Sequence, residues 1–414
     1  MEIAKVRGYA LSSPINPVQS REFHGGVRRL LKRDIVLVVI ETKDGEQGFA
    51  PGGASSSAMR EYFEDESQML FSDLVNEEIA PALEGTSIQE VEDAHDIIDN
   101  TDLPERVCHE AASAVDVALY DLKGKRTGTP IYELLSDRFD TEPTTSLPMY
   151  ASAGMYMPPE GYEEQARILD ELGFFGYKYR PGIGPEKDRH TIDILNEVTE
   201  DIEIMLDAHT WWKMGNHSYG SSTISDLVEY AGSTGAYWIE EPVEPDDHDG
   251  YRELSELGAS LAGGESKESP QDLIELAQTG AVDFLQGDVR HHRGFTGCST
   301  IIEFCQGKNI EFVPHNFGTW LGLVANAHLV SAAPEVNLLE YPVFENDPAL
   351  ESSKDPGMYP FELAFDIIEE DLEVSNGHIE VPDGPGLGVT VDLDIVEDYP
   401  ATEGPWTEFH YKDE

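Results

Sequence analysis

The chain has 414 residues, with 81 Asp and Glu against 27 Lys and Arg, and a formal net charge of −54 at pH 7. This charge is spread along the chain, so it would repel nucleic acid and anionic membranes, and we expect neither as a partner. Concentrated salt would screen the repulsion, and the pattern resembles the adaptation of proteins from salt-accumulating halophiles.

The spacing of the cysteines and the lack of long apolar runs bear on the cellular compartment of the protein. Cys108, Cys298 and Cys305 form neither a metal-spaced cluster nor a disulfide framework, which favours a reducing environment. The sequence has no N-terminal signal pattern and no apolar run long enough to span a bilayer. It therefore predicts a soluble, cytoplasmic protein with two domains, or one large barrel with an added piece.

The first part of the chain changes from strand to helix patterns. Residues 1–50 are rich in β-branched residues, and a Lys-Asp-Gly turn at 43–45 predicts a hairpin. The segment 17–29, with its paired glycines, is predicted to be a loop and a candidate mobile flap. Helical periodicity follows from about 55–138. These elements predict an α+β capping domain over residues 1–140.

Short apolar runs then recur at intervals of about 23 to 33 residues, and each ends in a polar residue. A strand, a loop, a helix and a returning loop fill that length. In a closed barrel the carboxyl ends of the strands converge on one face, whereas an open doubly wound sheet would spread them along a crevice. We therefore predict an α/β fold with a modified (β/α)7β TIM-type barrel over residues 141–350. The polar residues at the strand ends are Lys178, Asp207, Glu240, Glu265, Asp288, His315 and Glu340.

Three of these residues predict a metal site. Asp207, Glu240 and Glu265 end three consecutive strands, and three neighbouring carboxylates repel one another unless a cation neutralises them. Oxygen ligands suit Mg²⁺, so we predict one Mg²⁺ per subunit. The alternative is three unrelated solvated acids. Glu241, next to Glu240, would point to the other side of a regular strand.

Two further strand ends predict an acid/base pair. A carboxylate at Asp288 can accept a hydrogen bond from one nitrogen of His315, which fixes the tautomer and leaves the other nitrogen as a base. Lys178 and Arg180 share one strand face nearby. A lone histidine is usually structural, but a strand-end histidine one strand after an aspartate favours catalysis.

Basic residues are scarce, and some of them cluster in three groups. They lie at positions 28–33 beside His24, at 178–180, and at 290–293. Cationic groups in so acidic a chain could focus an anionic ligand, or they could be ordinary ion-pair partners. The sequence leaves both interpretations open for the first and third groups.

Taken together, these residues resemble the enolase superfamily, in its mandelate-racemase-like branch. The similarity extends through ALYDLKGKRTGTPIYELL, the K-x-R motif at 178–180, WIEEP, GGES and PDGPGLGV. The resemblance implies that Mg²⁺ binds the substrate carboxylate and stabilises the enolate formed when the α-proton leaves, with a Lys or His as the base.

One departure from the family pattern bears on the reaction. Racemase-like members usually have K-x-K, and the second lysine faces the His-Asp pair across the substrate. Here Arg180 takes that position, and a guanidinium stays protonated and is a poor base. This disfavours two-base racemisation and leaves a syn β-elimination in which His315 removes the α-proton and returns it to the departing β-hydroxyl. Lys178 as the base remains an alternative.

The remaining candidate residues concern the substrate. The DAHTWW motif resembles that of sugar-acid dehydratases in this branch, and it places His209 on the same face as Asp207, near a substrate hydroxyl or the metal. Glu340, if protonated, would donate a hydrogen bond to the substrate carboxylate. His24 and Arg28 on the flap are candidates for binding the distal end of the substrate.

The resemblance implies a Mg²⁺-dependent dehydratase that converts a sugar acid, such as xylonate, gluconate or arabinonate, into the 2-keto-3-deoxy acid. The alternatives are a racemase or epimerase of a 2-hydroxy acid and a catalytically silent sugar-acid-binding protein. A small anionic substrate and a homo-oligomeric state are also implied. The segment 351–414 is predicted to return to the capping domain and complete it.

Overall fold

The computed structural model describes residues 1–52, 70–198, 201–345, 347–349 and 359–412. An α+β domain precedes an α/β barrel within these residues, which confirms the predicted fold class. The beginning of the helical stretch predicted from residue 55 lies outside the described residues.

An antiparallel sheet forms one side of the capping domain. Its strands are β1 (Ile3–Phe23), β2 (Gly26–Thr42), β3 (Gln47–Gly52) and, from the other end of the chain, β14 (Thr407–Tyr411). Both β1 and β3 pair with β2, and β14 pairs with the first residues of β2. The turn predicted at 43–45 is confirmed.

The loop predicted over residues 17–29 is wrong. Pairing of β1 with β2 continues to Phe23 opposite Gly26, so the segment is a hairpin arm with a two-residue turn. Its glycines allow close approach: a Cβ at Gly25 would lie 2.5 Å from Cβ of His217, and one at Gly26 would overlap the carbonyl oxygen of His410. The tip of the arm therefore packs against a barrel loop and against β14.

The helices of the capping domain follow the strands. The longest, α4 (Glu105–Thr127), packs against β3, where a Cβ at Gly48 would overlap the carbonyl oxygen of Ala118. Its small residues Ala111, Ala114 and Ala118 are buried, and it ends at Gly128, whose φ of 72° is left-handed. The bounds are α1 Phe71–Leu74, a π-helical turn Val75–Ile79, α2 Ala80–Leu83, α3 Glu92–Asp99, α4 Glu105–Thr127 and α5 Ile131–Phe139.

Eight strands build the barrel. Each of the first six pairs in parallel with the strand that follows it in the chain, and the eighth pairs in parallel with the first, which is the strand order of a (β/α)7β barrel. The strands are β4 Ser146–Met155, β5 Gly176–Arg180, β6 Glu203–Asp207, β7 Trp238–Glu240, β8 Leu261–Gly263, β9 Phe284–Leu285, β10 Glu311–Phe312 and β11 Leu339–Pro342.

Helices follow each of the first seven barrel strands. They are α6 Pro159–Glu171, α7 Pro185–Val198, the short α8 His209–Trp212, a 3₁₀ turn Gly215–His217, α9 Ser221–Ser233, α10 His248–Ser255, α11 Pro270–Gln278, α12 Gly294–Cys305 and α13 Trp320–Ala332. Among the described helices, none has the length and apolar composition needed to cross a bilayer. Inside the barrel an apolar cluster that includes Tyr150, Met205 and Trp238 is fully buried, so the barrel is a packed core.

The C-terminal segment contacts the barrel before it returns to the capping domain. After α14 (Leu363–Asp366) and β12 (Val374–Ser375), strand β13 (His378–Glu380) pairs with the start of β4. The following turn donates the backbone N–H of Leu387 to Asp121 of α4 at 2.9 Å. After α15 (Ile395–Asp398), β14 joins the capping sheet. The predicted return to the capping domain is therefore accompanied by a barrel contact that the sequence analysis missed.

His328 connects the barrel to the other two parts of the chain. Its Nδ1 accepts a hydrogen bond from the backbone N–H of Tyr132 in α5 at 3.2 Å, and its Nε2 donates to the carbonyl of Leu387 at 3.0 Å. This arrangement requires the neutral ring. Burial lowers the pKa of His328 to about 4, in agreement with that geometry.

We predict that His328 makes the fold sensitive to acid. Its folded pKa of about 4 lies below its usual 6.5, so the unfolded chain binds the proton more readily. The stability that the neutral ring contributes is present above pH 6.5 and is lost as the pH falls toward 4, by about 3 kcal/mol. Urea unfolding at constant KCl from pH 7 to 4 measures this loss.

The variant His328→Gln has no titrating ring, so the decline of its unfolding free energy with pH should be shallower. His378→Asn is the matched control, because His378 is exposed. An unchanged pH dependence in His328→Gln would contradict the prediction.

Candidate active site

The carboxyl face of the barrel gathers the polar residues predicted at the strand ends. Asp207 and Glu240 are the last residues of β6 and β7, and Glu340 lies within β11. Glu265, Asp288 and His315 follow their strands by two or three residues. Contacts among these residues join them into one site.

Lys178 forms the deepest contact of the site. Its Nζ lies 2.8 and 2.9 Å from the two carboxylate oxygens of Glu240 and 2.8 Å from Oε1 of Glu340. All three side chains are fully buried. Burial alone would lower the pKa of Lys178, but Glu240 and Glu340 raise it above its ordinary value, so the ammonium stays charged.

Glu340 is ionised in this arrangement. Burial opposes the charge, but Lys178 lowers the pKa of Glu340 below its ordinary value, and the backbone N–H of Asn316 donates to its Oε2 at 2.8 Å. The sequence analysis expected a protonated Glu340 that donates a hydrogen bond to the substrate carboxylate. In the structure Lys178 balances the charge of an ionised Glu340, which has no proton to donate.

The surroundings of Glu240 contain more carboxylates than cationic groups. Gln286 donates to its Oε2 at 2.6 Å, and Lys178 contacts both oxygens. Burial, then the charges of Asp207, Glu265 and Glu340, nevertheless raise the pKa of Glu240 to about 8. A further cation at this position would therefore be favourable.

His209 lies among the other carboxylates. Its Nδ1 is 2.6 Å from Asp207, and its Nε2 is 2.7 Å from Glu241 and 3.1 Å from Glu265. Burial opposes protonation, but Glu265 and then Asp207 and Glu241 raise the pKa of His209 well above its ordinary value. The sequence placed His209 beside Asp207, and the structure brings them together.

Glu241 was not predicted to reach this site. Its φ is +40°, because the regular strand ends at Glu240 and the backbone turns there. Its buried carboxylate accepts hydrogen bonds from the backbone N–H groups of Gly264 and Ser266, both at 3.1 Å. Burial opposes the charge, but His209 lowers the pKa of Glu241 to about 2. Strand alternation cannot predict a residue beyond the strand.

The carboxylates fit a hard divalent cation. One ligand atom from each of Asp207, His209 and Glu240 lies within 4.8 Å of the others, and the same holds for His209, Glu241 and Glu265. Oxygen-rich sites of this kind suit Mg²⁺. Burial and the same neighbouring carboxylates raise the pKa of Glu240, which agrees with a site that can accept more positive charge.

His315 and Asp288 form the predicted pair. Nδ1 of His315 lies 2.9 Å from Asp288, and its Nε2 lies 3.1 Å from Glu265. Arg290 contacts both oxygens of Asp288, at 2.5 and 3.1 Å, and holds the pKa of that buried carboxyl well below its usual range. Burial would lower the pKa of His315, but Glu265 and then Asp288 raise it to about 9.

The basic group at 290–293 is explained by ion pairs and hydrogen bonds. Besides Arg290, His291 lies 3.0 Å from Glu110 of α4, and Arg293 lies 2.8 Å from Asp99 of α3. The loop therefore joins the predicted acid/base pair to the capping domain, and for this group the ion-pair interpretation fits.

A cavity of 770 Å³ opens between the capping domain and the barrel. Arg28, Arg180, Glu265 and His315 are among its lining residues, whereas Lys178 lies beneath the surface. Arg180 is held by Asp207 at 2.9 Å.

His24 is placed differently from Arg28. Its Nδ1 lies 2.9 Å from the carbonyl oxygen of Gly182, and its Nε2 contacts the carbonyl oxygen of His217. It is not among the described residues that line the cavity. In this conformation it fastens the hairpin arm to the barrel loops.

Comparison with protein families explains this arrangement. A family model described as "Enolase C-terminal domain-like" matches residues 161–395, and the N-terminal domain of the mandelate racemase / muconate lactonizing enzyme family matches residues 15–136. The chain belongs to the mandelate racemase / muconate lactonizing enzyme branch of the enolase superfamily. The resemblance seen in the sequence is confirmed.

Characterised relatives of this branch cover about two thirds of the chain. The chain is 27% identical to a D-xylonate dehydratase of Haloferax volcanii, over 69% of this chain and 68% of that protein. It is 30% identical to a D-galactarolactone cycloisomerase of Agrobacterium fabrum, over 70% of this chain and 73% of that protein. Dehydratases, a racemase, an epimerase and cycloisomerases all occur among the matches.

Solved structures of the superfamily share the fold over nearly the whole chain. A member from Polaromonas sp. JS666 has a TM-score of 0.80 at 25% identity and covers 98% of this chain and 99% of its own. A racemase from Streptomyces coelicolor A3(2), with a TM-score of 0.75 at 20% identity over 96% and 99%, contains bound magnesium.

We predict that Asp207→Asn weakens binding of Mg²⁺ by at least about tenfold, because it removes a carboxylate from the cation site. Calorimetric titration with Mg²⁺, and with Mn²⁺ as a paramagnetic probe, measures the affinity without any substrate. Glu268→Gln is the control, since Glu268 is an exposed acid paired with Arg106. Equal affinity in Asp207→Asn and the unchanged protein would contradict the metal assignment.

Proposed function

We propose that this protein is a Mg²⁺-dependent dehydratase of a sugar acid, giving the 2-keto-3-deoxy acid. The observation that carries the proposal is the cavity-lining His315, oriented by Asp288, with a guanidinium, Arg180, at the position of the second base. One acid/base group beside a fixed cation suits β-elimination better than two-base racemisation.

His315 performs both proton transfers in this reaction. Asp288 holds Nδ1, so Nε2 is the nitrogen available to the α-proton of the substrate. The C2–H electrons form the C2–C3 double bond while the 3-hydroxyl leaves, and the imidazolium returns the proton to that hydroxyl as water. The enol then loses the proton of its 2-hydroxyl and gains a proton at C3 from water, which gives the 2-keto-3-deoxy acid.

Glu265 controls when His315 can act as a base. It is the first of the charges that raise the pKa of His315 to about 9, so at neutral pH the ring is protonated in the described arrangement. A ligand that neutralises Glu265 would lower this pKa and free Nε2 near neutral pH. Asp207, Glu240 and Glu265 would hold Mg²⁺, which when bound supplies positive charge for the substrate carboxylate and the developing enolate.

Arg180 and Lys178 have different places in the proposal. Arg180 lines the cavity and can donate its planar N–H groups to the substrate carboxylate. Lys178 is buried between Glu240 and Glu340, so it stabilises these carboxylates and lies away from the cavity. For Lys178 to act as the base, its ammonium would have to lose a proton, and the ion pairs with Glu240 and Glu340 would be lost with it.

The first experiment is a screen of C4 to C6 aldonic and aldaric acids with Mg²⁺ in molar KCl, read with semicarbazide for 2-keto acids. We expect product from one or a few of these acids, and xylonate, arabinonate and gluconate are first candidates because dehydratases of these acids are among the relatives. Exchange of the α-proton in D₂O without a keto product would instead favour a racemase or epimerase. Binding without exchange would favour a silent binding protein.

We predict that His315→Asn abolishes dehydration, with a loss of at least about 100-fold in kcat, because general acid–base catalysis contributes that much or more. Lys178→Met should retain α-proton exchange with deuterium if it still folds and binds the acid. His378→Asn, at an exposed site, is the control. Loss of exchange in Lys178→Met with binding intact would make Lys178 the base.

A further inference from the structure

The capping side of the cavity holds two arginines that the proposed reaction does not use. Arg28 and Arg33 both extend from β2, and Trp406 and Phe409 come from the C-terminal segment. We call these four residues the capping subsite. The strand β14, which follows Trp406, pairs with residues 26–30 of β2, so the C-terminal segment is held at this wall of the cavity.

Aromatic rings fix the orientation of both guanidinium groups. The guanidinium carbon of Arg28 lies 4.7 Å from the ring centre of Trp406, and that of Arg33 lies 5.0 Å from the same ring. Arg33 also lies 5.8 Å from the rings of Tyr359 and Phe361. Rings over the face of a guanidinium leave its N–H groups, which lie in the plane, available to an acceptor.

Neither arginine forms an ion pair with a carboxylate among the described residues. Arg28 donates to the hydroxyl of Thr407 at 3.1 Å, while Nε of Arg33 is buried and has no hydrogen-bond partner in the described part of the chain. A buried N–H without an acceptor costs about 1–3 kcal/mol. An anionic ligand in the cavity would remove this cost.

The basic residues next to Arg28 and Arg33 do form ion pairs with carboxylates. Arg29 pairs with Glu408 at 2.8 Å, and Lys32 pairs with Asp34 at 3.1 Å. The chain has three acidic residues for every basic one, so carboxylate partners are abundant. Two guanidinium groups on one cavity wall, with no carboxylate partner among the residues that the structure describes, therefore indicate a place for a negative ligand group.

The distance to the reaction centre fits a short chain. Phe317 lies 4.7 Å from the guanidinium carbon of Arg180 and 5.6 Å from that of Arg33. The two guanidinium carbons are therefore at most about 10 Å apart, the sum of these distances. The terminal carbons of an extended six-carbon acid are roughly 6 Å apart, from C–C bonds of about 1.5 Å. One such acid can reach both arginines.

We propose that the capping subsite binds a second, terminal carboxylate, so that the substrate is a sugar diacid. This rests on the proposed function, because it names the substrate class of the same site. Arg33 supplies the planar pair of N–H donors that a carboxylate accepts, Arg28 supplies additional positive charge, and Trp406 holds both. Aldonates, which end in a neutral hydroxyl, would leave both guanidinium groups without an anion.

The test compares three six-carbon acids that differ in their terminal group: adipate, 6-hydroxyhexanoate and 6-phosphonohexanoate. None has hydroxyls at C2 and C3, so none can be dehydrated, and calorimetry on the Mg²⁺-loaded full chain in molar KCl measures binding alone. We expect adipate to bind at least tenfold more tightly than 6-hydroxyhexanoate. Equal affinities would overturn the proposal, and tighter binding of the phosphonate than of adipate would overturn the assignment of a carboxylate.

Variants locate the effect. Arg33→Met should reduce the affinity for adipate to that for 6-hydroxyhexanoate, and Arg33→Lys should keep part of the preference because it retains charge without the planar fork. Arg29→Met is the matched control, since Arg29 lies on the same strand and pairs with Glu408. A thermal melt checks that each variant folds. A preference for adipate that survives in Arg33→Met would also overturn the proposal.

These results do not depend on turnover. An adipate preference that requires Arg33, together with silence in the substrate screen, would overturn the dehydratase and retain the subsite. Dehydration of aldonates without a preference for adipate would retain the dehydratase and overturn the subsite.

Discussion

The buried contact of Lys178 with Glu240 and Glu340 is the constraint on which the site depends. Three ionisable side chains are fully removed from water there, and such burial is tolerable when they contact one another. The pairing joins β5, β7 and β11, so the barrel strands must keep their register for the charges to meet. Gln286 and Asn316 complete the hydrogen bonds of the two carboxylates. The carboxylates outnumber the one ammonium, and this imbalance adds to burial in raising the pKa of Glu240, so a further cation at the site is favourable.

The same carboxyl face is connected to the capping domain through Arg290 and the residues that follow it. Arg290 holds Asp288, and its neighbours His291 and Arg293 reach Glu110 and Asp99 on the capping helices. The orientation of the His315–Asp288 pair is therefore coupled to the packing of the two domains.

The C-terminal segment supplies a third part of the cavity wall. It contacts the rest of the chain at three places. Strand β13 pairs with β4, Leu387 contacts α4, and β14 extends the capping sheet. Trp406 reaches Arg28 and Arg33 because β14 pairs with the beginning of β2. Residues from both ends of the chain thus line the cavity together with residues of the barrel.

The repeat of strand-end residues was sufficient to predict the barrel and the contact of Asp288 with His315, because parallel strands place their carboxyl ends on one face. Asp207, Glu240 and Glu265 also lie on that face, but the structure groups Asp207 with Glu240 and Glu265 with Glu241, with His209 in both groups. Three features were decided by tertiary structure alone. Glu241 turns toward His209 where the strand ends and alternation no longer applies. The segment 17–29, predicted to be a loop, is a paired arm because residues 19–23 of β1 pair with residues 26–30 of β2. Arg33 lies in the cavity because rings from distant segments surround it, and local sequence does not encode contacts between residues that meet only on folding.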